Sequence, residues 1–163
     1  YEVTDQYGRN LRKLGEARRS SYRANLEYWV NEKVRLRTRG ELVQSQQAGE
    51  DLELGYLLYQ DLRLELSEKL QLDTRVTMFE TESFATRVYQ FENDLLYVFA
   101  SQSLFNKGQR MYVLVNYEPF DFLELWGKFG ITIYDDEQVI GSGLNQIEGD
   151  TRSEVGLQAR FRF

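Results

Sequence analysis

Apolar and polar residues alternate with a period of two along most of the chain, in segments of about ten residues. In the segment 21–30 the even-numbered residues form an apolar face and the odd-numbered residues form a mainly polar one. The apolar face consists of Tyr22, Ala24, Leu26, Tyr28 and Val30. Strict alternation of this kind indicates amphipathic β-strands. It predicts seven strands, within residues 21–30, 34–42, 52–64, 70–78, 110–117, 123–133 and 154–163.

The connections between these strands are of two lengths. Short turns are predicted at 31–33, 65–69 and 118–121, and longer polar connections at 44–51, 80–109 and 135–152. Residues 86–100 resemble a further strand, but consecutive strands of an up-and-down barrel alternate in direction, so short turns recur at every second connection. A full strand there would break this rule. We therefore predict that 80–109 is an extracellular excursion, partly extended and folded over or into the barrel mouth.

The polar face of the strands carries many charges, as would an ordinary solvated face, so charge alone does not separate a membrane barrel from a soluble one. Two features favour the membrane. The apolar faces run for five or six alternate residues, close to the length that a tilted membrane strand needs. Aromatic residues cluster near the strand ends, as interfacial girdles do, at Tyr28, Trp29, Tyr56, Tyr117, Phe120, Phe161 and Phe163.

The last strand is a third feature that favours a membrane barrel. Its apolar face ends on a phenylalanine and consists of Val155, Leu157, Ala159, Phe161 and Phe163. This pattern resembles the C-terminal signal strand that the outer-membrane barrel-assembly machinery reads. The predicted fold is all-β, an antiparallel up-and-down transmembrane β-barrel. A soluble β-barrel binding module or a sandwich is the less favoured alternative.

Seven strands do not match the even count of typical bacterial barrels. We expect further strands upstream, because the chain starts at Tyr1 without an initiator methionine or a signal-like segment. The alternative is an eighth strand from residues 1–19, which we interpret as an upstream strand and turn segment. Residues 20–163 would then be the C-terminal part of an outer-membrane barrel.

The composition removes most catalytic chemistry. The chain has no Cys and no His, which excludes thiolate nucleophiles, Ser-His-Asp triads and most zinc sites. We predict that it is not an enzyme and has no cofactor. Asp135, Asp136 and Glu137 form a weak candidate calcium site that lacks the spacing of a known calcium loop. Gly141-Ser142-Gly143 resembles a phosphate-binding fragment but lacks its strand-turn-helix context.

A row of charged residues on the polar face is the main candidate site. We expect these residues to face the barrel lumen: Arg35, Arg37, Arg39, Glu41, Asp61, Arg63, Asp73 and Arg75. In one interpretation the arginines form an anion-selective constriction, as charged rings do in pores. In the other, which we favour, Arg-carboxylate pairs pack the interior and close it, because unpaired buried charges are costly.

Several stretches resemble a known family. They are GYLLYQDLRLEL (55–66), RVYQFENDLLYVF (87–99), NKGQRMYVLVNY (106–117) and IGSGLNQIEGDTRSEVGLQARFRF (140–163). They are similar to the C-terminal barrel region of large Gram-negative outer-membrane proteins that carry a helix-hairpin-helix domain nearer the N-terminus. The resemblance implies an outer-membrane barrel. That helix-hairpin-helix domain would imply DNA binding, but it lies outside this chain, so nucleic acid is not an expected partner of these residues.

Two function classes follow as expectations. The first is a channel, transport or assembly component of the outer membrane of a Gram-negative bacterium. The second is a structural barrel, plugged by its own side chains, that anchors another domain or partner. The expected partners are outer-membrane lipid, the barrel-assembly machinery during biogenesis, and other outer-membrane or periplasmic proteins.

Overall fold

A computed structural model describes residues 2–4, 10–12, 17–141 and 143–163, with side chains described from residue 17 onward except at Ala100 and Ser142. The predicted N-terminal strand and turn segment, 1–19, therefore lies mostly outside the described residues. So does Ser142, the centre of the glycine-rich fragment. Of the N-terminal segment the structure describes two short paired strands and the start of a long one.

The described residues form thirteen strands and two single-turn 3-10 helices, Phe84–Thr86 and Gly143–Asn145. In chain order the strands are β1 Glu2–Thr4, β2 Asn10–Arg12, β3 Ala17–Asn31, β4 Val34–Gln47, β5 Glu53–Ser67, β6 Leu70–Thr81, β7 Val88–Glu92, β8 Ala100–Leu104, β9 Lys107–Phe120, β10 Leu123–Tyr134, β11 Val139–Ile140, β12 Ile147–Glu148 and β13 Thr151–Phe161. The all-β prediction is confirmed. Among the described residues, no helix is long and apolar enough to cross a membrane.

Seven long strands form one antiparallel sheet in the order β13-β10-β9-β6-β5-β4-β3. These are the seven strands that the alternation predicts. Within the described residues the sheet is open, with β3 and β13 at its two edges. Each strand pairs with the long strand that precedes or follows it in the chain, as in an up-and-down topology.

The three short turns all lie at one end of the sheet, which we call the turn end. Backbone hydrogen bonds join neighbouring turns: Glu65 N donates to Lys33 O, Glu118 N to Lys69 O and Arg162 N to Phe122 O, at 2.8, 2.8 and 2.9 Å. The long connections, 48–52, 82–106 and 135–150, therefore lie at the opposite end, the loop end. This arrangement agrees with the predicted alternation of short and long connections.

Several predicted boundaries are wrong. Residues 44–47 were expected in a loop but continue β4, where Gln44 to Gln47 pair with Ser20 to Ala17. The predicted turns 65–69 and 118–121 shrink to Glu68–Lys69 and Asp121–Phe122, and β13 starts at Thr151 and ends at Phe161. A backbone ladder continues wherever a neighbouring strand supplies partners, even where the side chains are polar.

Residues 82–106 leave the sheet, and we call this segment the inserted hairpin. Strand β6 pairs directly with β9, from Leu70 with Tyr117 to Glu80 with Lys107. Between them, β7 and β8 form their own two-stranded antiparallel unit. Ser83 caps the 3-10 turn at its base by accepting a hydrogen bond from Ala85 N at 3.1 Å.

The polar face of the sheet is more buried than the apolar face. On β5, the polar-face residues Leu57, Tyr59 and Asp61 are buried, whereas Tyr56 and Leu58 on the apolar face are exposed. Among the described residues, fifteen polar or charged residues are buried, against ten hydrophobic ones. Buried charge of this extent is rare in soluble cores. The polar face of the sheet is therefore the inner one, and the inserted hairpin covers it.

Candidate functional site

The predicted charged row lies together on the inner face of β4, β5 and β6, and each of its members has an ionic partner. Arg37 contacts Asp61 at 2.7 Å, Arg63 contacts Asp73 at 2.6 Å, and Arg35 contacts Glu27 at 3.6 Å. Arg39 pairs with Glu41, and Arg75 pairs with Asp61. The row is therefore a ladder of ion pairs that crosses the strands.

Asp61 is the centre of this ladder. Its carboxylate accepts hydrogen bonds from Arg37 Nε at 2.9 Å and from Arg75 Nη2 at 2.8 Å. Arg75 is 1% exposed, and its guanidinium lies 3.8 Å from the centre of the Tyr59 ring. A cation–π contact and paired charges together offset the desolvation of a buried arginine.

A second group of charges, which we call the Glu92 cluster, joins the inserted hairpin to the seven-stranded sheet, which we call the wall. It consists of Glu92, Asp94, Arg110, Lys128 and Glu154. Arg110 donates to both carboxylate oxygens of Glu92, at 2.6 and 2.8 Å, and also pairs with Glu154 of the edge strand. Lys128 donates to Asp94 at 2.6 Å and to Glu92 at 3.3 Å.

Glu92 is ionised at the centre of this cluster, although it is 0% exposed. Burial by itself raises the pKa of a carboxyl, but the hydrogen bonds and charge of Arg110, together with the charge of Lys128, lower the pKa of Glu92 below its ordinary value. The hairpin therefore carries a fixed negative charge onto two cations of the wall.

The sequence pattern places Glu92 within the predicted extracellular excursion 80–109 and does not identify this cluster. The signal was nevertheless present in the alternation of β7. Val88, Gln90 and Glu92 are buried against the wall, whereas Tyr89 and Phe91 face away from it. A strand whose polar face includes Gln and Glu fits a charged wall better than an apolar one.

Wall side chains also bind the hairpin backbone. Arg39 donates to the carbonyl of Tyr89 at 3.1 Å, Arg75 to that of Phe91 at 2.7 Å and Gln158 to that of Leu96 at 3.1 Å. Buried carbonyl groups need partners, and here β4, β6 and β13 supply them. The hairpin is thus held across the width of the sheet.

Two apolar clusters seat the hairpin at its base and at its tip. Val88 and Leu104 pack with wall residues that include Val43, Leu57 and Phe79. At the tip, Leu95 and Leu96 pack against Tyr112, Leu114 and Trp126. These contacts lie between the charged groups, so the inner face is filled by a mixture of ion pairs and small apolar patches.

Two glycines of the wall make room for the hairpin. A Cβ at Gly55 would overlap the carbonyl oxygen of Thr86, and a Cβ at Gly156 would lie 2.9 Å from Leu95 Cδ1. Both approaches are closer than van der Waals contact, so any larger residue at Gly55 or Gly156 would push the hairpin away from the sheet. The wall is shaped for close approach at both ends of the insert.

We expect Gly55→Ala to weaken docking of the inserted hairpin by about 1–3 kcal/mol, the usual cost of overpacking. Gly40→Ala is the matched control, because a Cβ at Gly40 meets nothing within 4 Å. Hydrogen exchange of the β7 and β8 amides measures the difference. Equal protection in the two variants would contradict close packing at Gly55.

The remaining predicted residues do not form a reactive site. Asp135 and Asp136 are exposed, while Glu137 accepts a hydrogen bond from Asn106. The described residues contain no group of three or more acidic, His or Cys side chains that could hold a metal ion. The outer face of β13 carries Val155, Leu157, Ala159 and Phe161, all exposed, and Phe163 follows the end of the strand.

Comparisons with protein-family models, with curated proteins and with solved structures found no match to this chain.

Proposed function

We propose that this chain is part of the wall of a β-barrel in the outer membrane of a Gram-negative bacterium, and that the inserted hairpin plugs it. The barrel then acts as a structural anchor for another domain or partner and does not conduct solutes. The observation that carries the proposal is the inverted burial, in which charges line the inner face and apolar side chains cover the outer one. A surrounding apolar solvent makes such an arrangement favourable.

The outer surface has the dimensions of a membrane belt. On β5 the outward positions from Tyr56 to Leu66 are apolar except for Gln60. About ten residues at roughly 3.3 Å each, tilted by about 40°, span close to 25 Å, the height of the apolar band of membrane barrels. Toward the loop end the outward positions become polar, at Arg18, Gln46, Glu80, Lys107 and Gln109.

Polar groups inside this belt are satisfied by the protein itself. The Gln60 side chain accepts a hydrogen bond from Thr38 Oγ1 at 2.6 Å and donates one to the carbonyl of Asp61 at 3.0 Å. Thr74 Oγ1 donates to the carbonyl of Tyr112 at 2.8 Å. Internal pairing is what a lipid-facing hydroxyl or amide requires, since hydrocarbon offers no partner.

The plug is supported by the way in which the arginines are used. Arg35, Arg37 and Arg39 are paired with carboxylates, and Arg39 also binds the hairpin backbone. An anion-selective constriction needs cations that are free to meet a passing ion. The observed pairing favours the closed arrangement over the channel.

A gated transport channel is the second candidate. The inserted hairpin is attached to the sheet only through Thr81 and Lys107, and many of its contacts with the wall are ion pairs or hydrogen bonds. Such a segment can leave the inner face as a unit when its charges are neutralised. This candidate places regulation in the Glu92 cluster.

Removing the hairpin tests the plug. Glu80 and Lys107 are register partners, so an Asn-Gly turn between them can replace residues 81–106. We expect the full-length wild type to be silent in a planar lipid bilayer, and the shortened variant to give stable conductance. Replacing Arg35, Arg37 and Arg39 by Ser in the shortened variant should change the ion selectivity of this conductance. Without the hairpin these three arginines are exposed to the lumen.

The matched control shortens another connection at the loop end. Ile140 and Ile147 are register partners, so an Asn-Gly turn can replace residues 141–146 without altering the inner face. This control should remain silent. Stable, arginine-dependent conductance of the wild type would contradict the plug and favour an open channel.

A further inference from the structure

The two edges of the sheet run in the same direction. Six antiparallel pairings separate β3 from β13, so both strands run from the loop end to the turn end, where they finish at Asn31 and Phe161. A set of added strands that pairs antiparallel with both edges must therefore contain an odd number of strands. Exposed edges are unfavourable in lipid, so both need partners.

A second copy of this chain cannot supply them. In the same membrane orientation its own edges would also run toward the turn end, and the seams would be parallel. Membrane barrels are antiparallel around the ring. Only an inverted copy would fit, and that would place its long loops on the wrong side of the membrane.

One further strand is not enough either. The interior of an eight-stranded barrel is just wide enough for side chains. Here a two-stranded hairpin, backbone included, lies against the inner face. The ring therefore needs more than eight strands, and by parity at least ten.

We infer that an odd number of strands, three or more, precedes β3 in the same polypeptide and closes the ring, giving a barrel of at least ten strands. This inference rests on the proposed membrane barrel. The strand order favours one polypeptide, since every long strand of the sheet lies beside the next long strand in the sequence. The strand beside β3 is then the long strand that precedes it, and the three-residue strands β1 and β2, which pair with each other, are not counted.

A second face of the hairpin points away from the sheet, toward the strands that would close the ring. Tyr97 and Phe99 are 89% and 82% exposed, and Phe91 contacts Phe99 with ring centres 4.6 Å apart. On the edge strand, Gln158 Oε1 and Arg160 Nε are buried without a hydrogen-bond partner among the described residues. Both atoms lie on β13, which the first strand of the closed ring would join.

Spin-label distances in the full-length protein test the ring size. Ala24→Cys on β3 and Leu157→Cys on β13 give a single labelled pair on the outer face, because this chain has no cysteine and any cysteine upstream of it is replaced by Ser. Ala24→Cys with Leu58→Cys is the internal ruler, because these residues are two strand spacings apart. The ruler should read about 10 Å. We expect the test pair to read about twice that or more.

Equal distances for the two pairs would overturn the inference, because they would indicate eight strands. A ring assembled from two copies, seen as a short distance between singly labelled chains, would also overturn it. Failure of the protein to insert into lipid vesicles would refute the proposed function itself, and the ring with it.

Discussion

Glu92→Gln is expected to release the inserted hairpin from the wall. The substitution keeps the size of the side chain but leaves Arg110 and Lys128 without their shared anion in a buried site. Removing one partner of a buried ion pair costs about 3–5 kcal/mol, which increases the undocked fraction by roughly two to four orders of magnitude. This is the largest effect that a single side chain of the hairpin should have.

Thiol labelling measures the undocking. Val88 lies on β7 and is buried between the hairpin base and the sheet, so Val88→Cys reports on opening in a chain that has no cysteine of its own. The labelling rate should rise with the undocked fraction. Glu80→Gln is the control, because Glu80 forms an exposed pair with Lys107 at 3.7 Å and should matter by less than about 1 kcal/mol. Equal labelling rates in the two variants would contradict the role of Glu92.

Acidification should reproduce the effect of Glu92→Gln. Because the folded pKa of Glu92 lies below its ordinary value of 4.5, its contribution to docking is complete above pH 4.5 and is lost as the pH falls through the lower, folded value. Below pH 4.5 the labelling rate of Val88→Cys should therefore rise relative to that of a small free thiol at the same pH, a reference that corrects for the smaller thiolate fraction. The acceleration should be much weaker when Glu92 is already Gln.

Leu62→Arg is expected to destabilise the barrel in lipid by about 2–4 kcal/mol. Leu62 lies in the middle of the outward row of β5 that runs from Tyr56 to Leu66, between Leu36 and Thr74. Arginine near the midplane of a bilayer has about this cost. At a solvent-facing position of a soluble protein the same substitution is nearly neutral, within about 0.5 kcal/mol. The substitution therefore separates the two environments.

Denaturant unfolding from phospholipid vesicles gives the comparison. Gln109→Arg is the matched control, because Gln109 also faces outward but lies at the polar loop end of β9. Near the interface the cost of arginine falls to about 0–1 kcal/mol. A Leu62→Arg variant as stable as the Gln109→Arg variant would refute the lipid-facing belt and favour the soluble β-barrel.

The alternation of side chains was sufficient for the strands and their two faces, because a β-strand places successive residues on opposite sides whatever surrounds it. The parity of the short turns was sufficient to keep 86–100 out of the sheet, since strand direction is a property of the order along the chain. Strand ends were not predictable in the same way. Residues 44–47 are polar, and only the neighbouring strand β3 decides that they stay in the ladder.

The charged ladder was only partly predictable. The sequence by itself determined that Arg37, Asp61 and Arg75 share a face, and strand adjacency made their pairing an expectation. The Glu92 cluster was decided by the tertiary structure alone, because Glu92 meets Arg110 and Lys128 only after the hairpin folds back across several strands. Local periodicity assigns a residue to a face, whereas the partner of a buried charge depends on the register and path of distant segments.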